Sequence, residues 1–267
     1  MQVRSLTWSP SVKHRDSGRT WDNKDTIKNW WKRYIGSHIL RHKPTLYAQF
    51  ISDGDLCFDI GASRGGMTWA MRQNGAKVIS VEPLQAAMPR LVQEFNWMFD
   101  DDPDVILVPA AVSPDGQVDI AVNLNQPYLS SCSVRWRTKS IHAKMYGNVR
   151  VEKIEGVTLD YLIEFYGMPK FIKVDCEGYN GEVISTLHYP VHWLSMEFHK
   201  DWLWNNNKAI KHLATVGEYE YNYCLDNRGQ FELGEWMAGG ELLKYLREVL
   251  LERGKGSWGD IYARRMI

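Results

Sequence analysis

The stretch FDIGASRGGMT, residues 58–68, decides the fold. Its apolar start predicts a buried strand, its glycines predict a tight turn, and the residues after Gly65 predict a helix. Such a turn favours glycine because glycine adopts positive φ without strain and because its missing Cβ lets a ligand approach the backbone. A strand, a glycine turn and a helix in this order predict the ligand-binding start of an open α/β sheet.

Strands and helices alternate on both sides of this stretch, which predicts βαβ units and a parallel sheet. Two alternating patterns around an irregular segment at 125–148 predict an extra antiparallel pair, and the last strand is expected to be antiparallel to the others. The predicted strands cover 56–60, 77–82, 105–112, 118–124, 149–154, 171–174, 193–198, 219–225 and 260–264, and the predicted helices cover 44–52, 66–74, 84–98, 158–166, 179–187 and 242–250.

The composition is that of a globular protein: of 267 residues, 44% are hydrophobic and 24% are charged. No apolar run approaches the roughly 20 residues that a membrane span requires, and residues 1–25 lack the apolar region of a signal peptide. We therefore expect a soluble, cytoplasmic protein. The four cysteines lie far apart without a CxxC pair, which argues against a structural zinc site and a disulfide framework.

The start of the chain differs in charge from the rest. The net charge is zero, yet residues 1–50 hold ten Lys or Arg against three Asp. Apolar residues at helical spacing over 27–35, Trp30 and Trp31 among them, predict an amphipathic helix. We expect a basic, Trp-containing helical extension over 1–52 and one α/β domain over 53–267. The extension either binds nucleic acid or another acidic partner or is a solvated basic surface, which is the commoner case.

The spacing of the two glycines in the turn and the positions of two nearby carboxylates, Asp59 and Glu82, indicate which ligand binds. Gly61 and Gly65 do not form the G-x-G-x-x-G pattern of dinucleotide sites, and Asp59 would repel a pyrophosphate. A zwitterionic ligand with a sulfonium tolerates that charge, which favours S-adenosylmethionine. Glu82 ends the second strand about 20 residues after Gly61, where an acidic residue accepts the hydroxyls of a cofactor ribose; the alternative is a solvated glutamate. The predicted cofactor-binding residues are Asp59, Gly61, Ala62, Ser63, Gly65, Thr68, Glu82, Pro83, Ala111 and Asp175.

Between about Leu56 and His199 the sequence resembles the FkbM family of methyltransferases. The resemblance rests on FDIGASRGGMT with VEP at 81–83, on GVTLD at 156–160, and on FIKVDCEG at 171–178 followed by MEFH at 196–199. The last piece is the most specific, because family members commonly have K-(I/V)-D-x-E-G and, one strand later, E-x-H.

The resemblance implies a class I methyltransferase, a Rossmann-like α/β fold with a mostly parallel seven-stranded sheet and helices on both faces. It also implies transfer of a methyl group, usually to a hydroxyl oxygen on a sugar or secondary metabolite. The chain departs from the family at Asn180, where an acidic residue is common, and at 62–64, where Ala-Asn is the commoner turn.

The predicted catalytic residues are Asp175, Glu177, Glu197 and His199. They follow two strands of the sheet, and ligands of such sheets bind beyond the carboxyl ends of strands. Glu197 and His199 lie two apart in an extended segment and therefore point to the same side. Asp175 and His199 are the candidate bases, with His199 favoured by its ordinary pKa near 6.5. Each has a structural alternative, and the cluster could also hold a divalent cation, although we assign no metal ligand.

Three functions remain open. The first is O-methylation of a sugar, glycan or small metabolite, and the second is methylation of an RNA ribose or cap 2′-hydroxyl. The third is a methyltransferase-like binding protein without activity, which the intact Gly61, Gly65 and Glu82 argue against. On the acceptor side, polar and aromatic residues at 130–137 and at 202–204 either line a pocket or pack the loops.

Overall fold

The computed structural model describes residues 41–84, 88–99, 102–140, 142–226, 228–253 and 257–266. Within these ranges the chain forms ten β-strands and eight α-helices, with three short 3-10 helices between them. The predicted helix at 27–35 and the rest of the basic extension before residue 41 lie outside the described residues.

Seven of the ten strands form one large sheet. The strands are β1 Leu56–Ile60, β2 Lys77–Val81, β3 Val105–Val108, β4 Ala111–Val112, β5 Gln117–Asn123, β6 Val149–Val157, β7 Phe171–Val174, β8 Trp193–His199, β9 Tyr219–Leu225 and β10 Trp258–Arg265. The large sheet has the order β3-β2-β1-β7-β8-β10-β9. Strand β10 is antiparallel to both of its neighbours, and the other pairs are parallel. The predicted seven-stranded, mostly parallel sheet with an antiparallel last strand is therefore confirmed.

Helices cover both faces of this sheet, as predicted. They are α1 Lys43–Tyr47, α2 Gly66–Arg72, α3 Pro89–Phe99, α4 Val134–Lys139, α5 Leu159–Tyr166, α6 Asn180–Ile184, α7 Leu203–Val216 and α8 Gly239–Arg253. Apolar residues of α5, α6, α7 and α8 share one core cluster with Phe58 and Ile172. Apolar residues of α1 and α2 share another with Cys57 and Phe171. Side chains alternate along a strand, so Asp59 and Lys173 face α1 and α2.

The predicted strand at 105–112 is wrong as a single element. Residues Val105–Val108 form β3 of the large sheet, whereas Ala111–Val112 form β4 of a second, three-stranded sheet with the order β4-β6-β5. Pro109 lies between them and has no N–H to continue a ladder, so the chain leaves the large sheet there. The predicted antiparallel pair is confirmed as β5 and β6.

Four helices differ most in extent from their predictions, and two helices were not predicted. Helix α8 extends beyond the predicted 242–250 at both ends, and α4 lies in the segment 125–148 that we expected to be irregular. The helix expected at 84–98 is not continuous, because residue 88 lies outside any helix and α3 begins at Pro89, a residue that suits a first helical turn. Helices α1 and α6 each span five residues and are shorter than expected. Helix α7 lies where we made no prediction, because its asparagines interrupt the apolar pattern. In the described ranges, no helix combines the length and apolarity that crossing a membrane requires.

Candidate active site

The glycine turn follows β1 and packs against the end of β7. Gly61 and Gly65 have φ of 81° and 84°, and Ser63 between them has φ of 49°. A Cβ built on Gly61 would lie 1.9 Å from the backbone oxygen of Asp175. Glycine is therefore required at 61 for two reasons that do not involve a ligand: the positive φ of this residue and the close approach of the Asp175 backbone.

The carboxylate of Glu82 is fixed beside this turn. Its Oε2 accepts from the Ser63 N–H at 2.7 Å, and its Oε1 accepts from the Leu84 N–H at 2.8 Å. Burial raises the pKa of Glu82 to about 7, against the effect of these two donors. A carboxylate has about four acceptor positions, so it can still accept hydrogen bonds from two ligand hydroxyls.

A cavity of about 220 Å³ opens between the turn, the end of β2, strand β4 and the end of β7. Glu177 of the predicted catalytic set lines it together with Asp175. Of the predicted cofactor-binding residues, those on its wall are Gly61, Ser63, Glu82, Pro83, Ala111 and Asp175.

Four predicted cofactor-binding residues are not on the cavity wall, namely Asp59, Ala62, Gly65 and Thr68. Asp59 and Thr68 are buried behind it, where the Thr68 hydroxyl donates to Asp59 Oδ2 at 2.7 Å. The Thr68 oxygen also lies 2.7 Å from the Ser80 hydroxyl oxygen. These contacts fix α2 to β1 and β2 beneath the turn.

The structure brings together three of the four predicted catalytic residues. Carboxylate oxygens of Asp175, Glu177 and Glu197 all lie within 4.8 Å of one another. Burial and the charge of Asp175 raise the pKa of Glu177 and of Glu197 well above the usual range, and Lys173 opposes the rise. Protonation of Glu177 and Glu197 and the positive charge of Lys173 can therefore offset the negative charge of the three carboxyl groups. The divalent cation considered from the sequence stays a prediction.

Lys173 is the cation of this cluster, and its Nζ lies 2.9 Å from Asp175 Oδ2. Its side chain is 2% exposed, whereas that of Asp175 is 33% exposed. Burial alone would lower the pKa of Lys173, but Asp175, Asp260 and Asp59 outweigh it and hold that pKa well above the usual range. Asp175 thus has one side on a buried ammonium and another open to the cavity.

His199 ends β8 outside the cavity lining. Its ring centroid lies 6.2 Å from that of Trp136 and 6.1 Å from that of His142. Met196 and Phe198 belong to the core on the other face of the sheet, as the alternation predicted. Unlike Asp175, His199 is therefore not part of the cavity wall.

Residues 128–132 and the loop after β7 complete the cavity. A pocket role for residues 130–132 was one of two alternatives that the sequence left open, whereas Tyr128 and Tyr179 were not predicted. Tyr128, Ser131 and Tyr179 line the cavity, and the Ser131 hydroxyl donates to the backbone oxygen of Glu177 at 2.7 Å. Glu177 has φ of 42°, a conformation that surrounding contacts must hold. No local pattern signals the contact between Ser131 and Glu177, because the two residues are 46 positions apart.

Asn180, a departure from the family pattern, joins the two acid-bearing segments. Its Oδ1 accepts from the Cys176 N–H at 2.8 Å, and its Nδ2 donates to the backbone oxygen of Glu197 at 2.9 Å. Asn206 of α7 donates to the same oxygen at 2.9 Å. A side chain that both accepts and donates is required here, which explains an amide in place of a carboxylate.

Comparison with known proteins gives one family match and several distant structural likenesses. The family model described as the methyltransferase FkbM domain matches residues 59–249. No curated protein matches.

Solved structures similar to this chain include a precorrin-6y C5,15-methyltransferase from Geobacter metallireducens, at 13% identity over 83% of this chain and 86% of that one, with a TM-score of 0.41. A putative rRNA-methylase from Clostridium thermocellum has 7% identity over 86% and 97%, with a TM-score of 0.42. A TehB-like SAM-dependent methyltransferase from Corynebacterium glutamicum has 11% identity over 91% and 100%, with a TM-score of 0.40.

Proposed function

This chain belongs to the FkbM methyltransferase family, and we propose that it transfers the methyl group of S-adenosylmethionine to a hydroxyl oxygen of a sugar, glycan or small metabolite. The observation that carries the proposal is the position of Asp175. Its carboxylate accepts from the buried ammonium of Lys173 and also lines the cavity that Gly61 and Glu82 border.

The residues around the cavity fit S-adenosylmethionine. Glu82 is held by two backbone donors and retains acceptor positions for the two ribose hydroxyls. The Gly61 turn presents backbone without a Cβ, and Ala111 offers an apolar wall on the other side. The cavity wall has carboxylates and, among the described residues, no cationic side chain. Such a wall suits S-adenosylmethionine, which carries a positive sulfonium and a positive ammonium, better than an anionic pyrophosphate. When bound, this cofactor supplies an electrophilic methyl group on a sulfonium.

We assign the base to Asp175. An alcohol attacks well only while its proton is being removed, so a base must lie within reach of the acceptor oxygen. In the transfer the acceptor oxygen gains the methyl group and its proton passes to the Asp175 carboxylate. Burial and the charge of Asp175 raise the pKa values of Glu177 and Glu197, which favours the protonated forms of these two side chains. The sequence alone favoured His199, but its place outside the cavity lining moves our assignment to Asp175.

A second candidate is methylation of an RNA ribose or cap hydroxyl, favoured by the charge of the acceptor side. Residues 120–151 contain five basic residues and no Asp or Glu. Four of these residues form no ion pair within the described part of the chain: Arg135, Arg137, Lys139 and Lys144. We rank this candidate second, because no Lys or Arg of the described residues lines the cavity, so its wall offers no cation to a phosphate.

The test is to incubate the protein with S-adenosylmethionine that carries a radiolabelled methyl group and with separate glycan, metabolite and RNA pools. Our proposal expects alkali-stable label in a glycan or metabolite pool, because a methyl ether survives alkali and a methyl ester does not. Label in the RNA pool alone would favour the second candidate. No label in any pool, despite tight binding of S-adenosylhomocysteine, would favour a binding protein without activity.

A further inference from the structure

A buried ion pair lies beside the active site and outside the residues that the family model matches. Lys43 Nζ of α1 donates to Asp260 Oδ2 of β10 and lies 3.4 Å from the Tyr262 hydroxyl. Lys43 is fully buried, and Asp260 is 3% exposed. Removing two charges from water is costly, so a pair at this depth calls for an explanation.

The register of the sheet places this pair next to the catalytic cluster. Asp260 of β10 lies directly opposite Glu197 of β8. Lys173 of β7 lies opposite Ser195 of β8, two residues before Glu197 on the same side. The pair formed by Lys43 and Asp260 and the pair formed by Lys173 and Asp175 therefore share one face of the sheet, beneath α1.

Electrostatics link the two pairs. Burial alone would raise the pKa of Asp260, but Lys43 and Lys173 outweigh it and hold that pKa below the usual range. Asp175 and Asp260 in turn act most strongly among the charges that raise the pKa of Lys173. Asp175 and Asp260 thus act on the same ammonium of Lys173. Within the described residues, Asp260 forms an ion pair with a second ammonium, that of Lys43, and Asp175 forms one with Lys173 alone.

We propose that Lys43 is a positioning residue for the active site: by compensating Asp260, it leaves Lys173 engaged with Asp175. The proposal rests on the proposed function only in taking Asp175 as the base. Helix α1 then contributes a charge that the active site needs, although the family match begins after this helix.

Other groups interact with Lys173 from every neighbouring element. They are Tyr47 of α1, Asp59 of β1, Asp175 of its own strand, Glu177 of the loop after β7, Glu197 of β8, and Asp260 and Tyr262 of β10. Among them Asp260 is the acid that Lys43 compensates, so a change at Lys43 acts on Lys173 through Asp260.

The test compares Lys43→Met, Asp260→Asn and the double variant in protein labelled with ¹³C at the aspartate carboxyl carbons. The Asp175 signal is assigned by its loss in Asp175→Asn, and its titration is followed without cofactor or acceptor. In Lys43→Met the titration midpoint should rise by about one pH unit or more, because Asp260 draws Lys173 away from Asp175. In Asp260→Asn it should not rise, and in the double variant it should return to the wild-type position.

Circular dichroism and thermal unfolding establish that each variant is folded at the temperature of the titration. An unchanged Asp175 midpoint in folded Lys43→Met would overturn the proposal, and so would a double variant that titrates like Lys43→Met. If Lys43→Met does not fold, Lys43→Gln, which also lacks the ammonium, takes its place: a raised midpoint supports the proposal and an unchanged one refutes it. The titration requires no methyl transfer. Its result can therefore be interpreted even if the proposed function is wrong.

Discussion

The backbone N–H of Ser63 lies 2.7 Å from Oε2 of Glu82, so the glycine turn and the acid at the end of β2 form one unit. In Ser63 a φ of 49° turns the chain toward Glu82. The donor orients the carboxylate before any ligand arrives, and an acceptor that is already oriented loses little freedom on binding.

We expect Glu82→Gln to weaken binding of S-adenosylhomocysteine while the fold is retained. Charge-assisted hydrogen bonds contribute about 1.5–3 kcal/mol each, so the loss of one lowers affinity by roughly 10- to 100-fold. Isothermal calorimetry measures the change, and Glu241→Gln, at an exposed position of α8, is the matched control. Equal affinity of wild type and Glu82→Gln would exclude Glu82 from the ribose site.

Binding of S-adenosylhomocysteine should also depend on pH through Glu82. The pKa of Glu82 in the free protein is about 7, raised by burial, and hydroxyl donors favour its charged form. Binding should therefore release a proton below pH 7, and affinity should fall as the pH decreases through 7. Calorimetry in buffers with different ionisation enthalpies detects the proton, and Glu82→Gln should abolish its release. Proton release that persists in Glu82→Gln would assign it to another group.

Asn180→Asp should destabilise the protein. It removes the donor to the Glu197 backbone oxygen and adds a carboxylate beside Glu177 and Glu197. A buried group left without its partner costs about 1–3 kcal/mol, which urea unfolding can measure. The exposed Asn96 provides the control Asn96→Asp. Equal unfolding free energies for the two variants would contradict the bridging role of Asn180.

Gly61→Ala should prevent stable folding or displace the end of β7. Its Cβ would lie 1.9 Å from the Asp175 backbone oxygen, and φ at this position is 81°. Gly240→Ala is the control, because nothing lies within 4 Å of a Cβ built in that helix, where alanine is favoured by about 1 kcal/mol. Thermal unfolding of both variants checks the contrast. A stable Gly61→Ala that binds S-adenosylhomocysteine normally would show that the turn adapts.

Local sequence predicted those parts of the site that are formed by neighbouring residues. The turn at 58–68, the position of Glu82 and the alternation along β8 depend on short-range rules, and the cavity includes Gly61, Ser63 and Glu82. Thr68 was assigned to the cofactor, but on α2 its hydroxyl is taken by Asp59.

Contacts between distant segments could not be predicted in this way. Lys43 and Asp260 are 217 residues apart, and the Asn180 bridge depends on how α6 meets β8. Seen in the sequence alone, Lys43 is one of ten basic residues in a segment that indicates a solvated surface. Its burial follows from the position of α1 on the sheet, which no local pattern encodes.

The most direct test of the account is the methyl-transfer rate of Asp175→Asn at saturating S-adenosylmethionine, with the acceptor pool that the wild type labels. We predict a loss of about 100- to 10,000-fold in turnover, the range for removal of a base, with the affinity for S-adenosylhomocysteine nearly unchanged. His199→Ala should lose far less, because His199 lies outside the cavity lining. Full turnover in Asp175→Asn, or a greater loss in His199→Ala, would contradict the assignment of the base and with it the proposed mechanism.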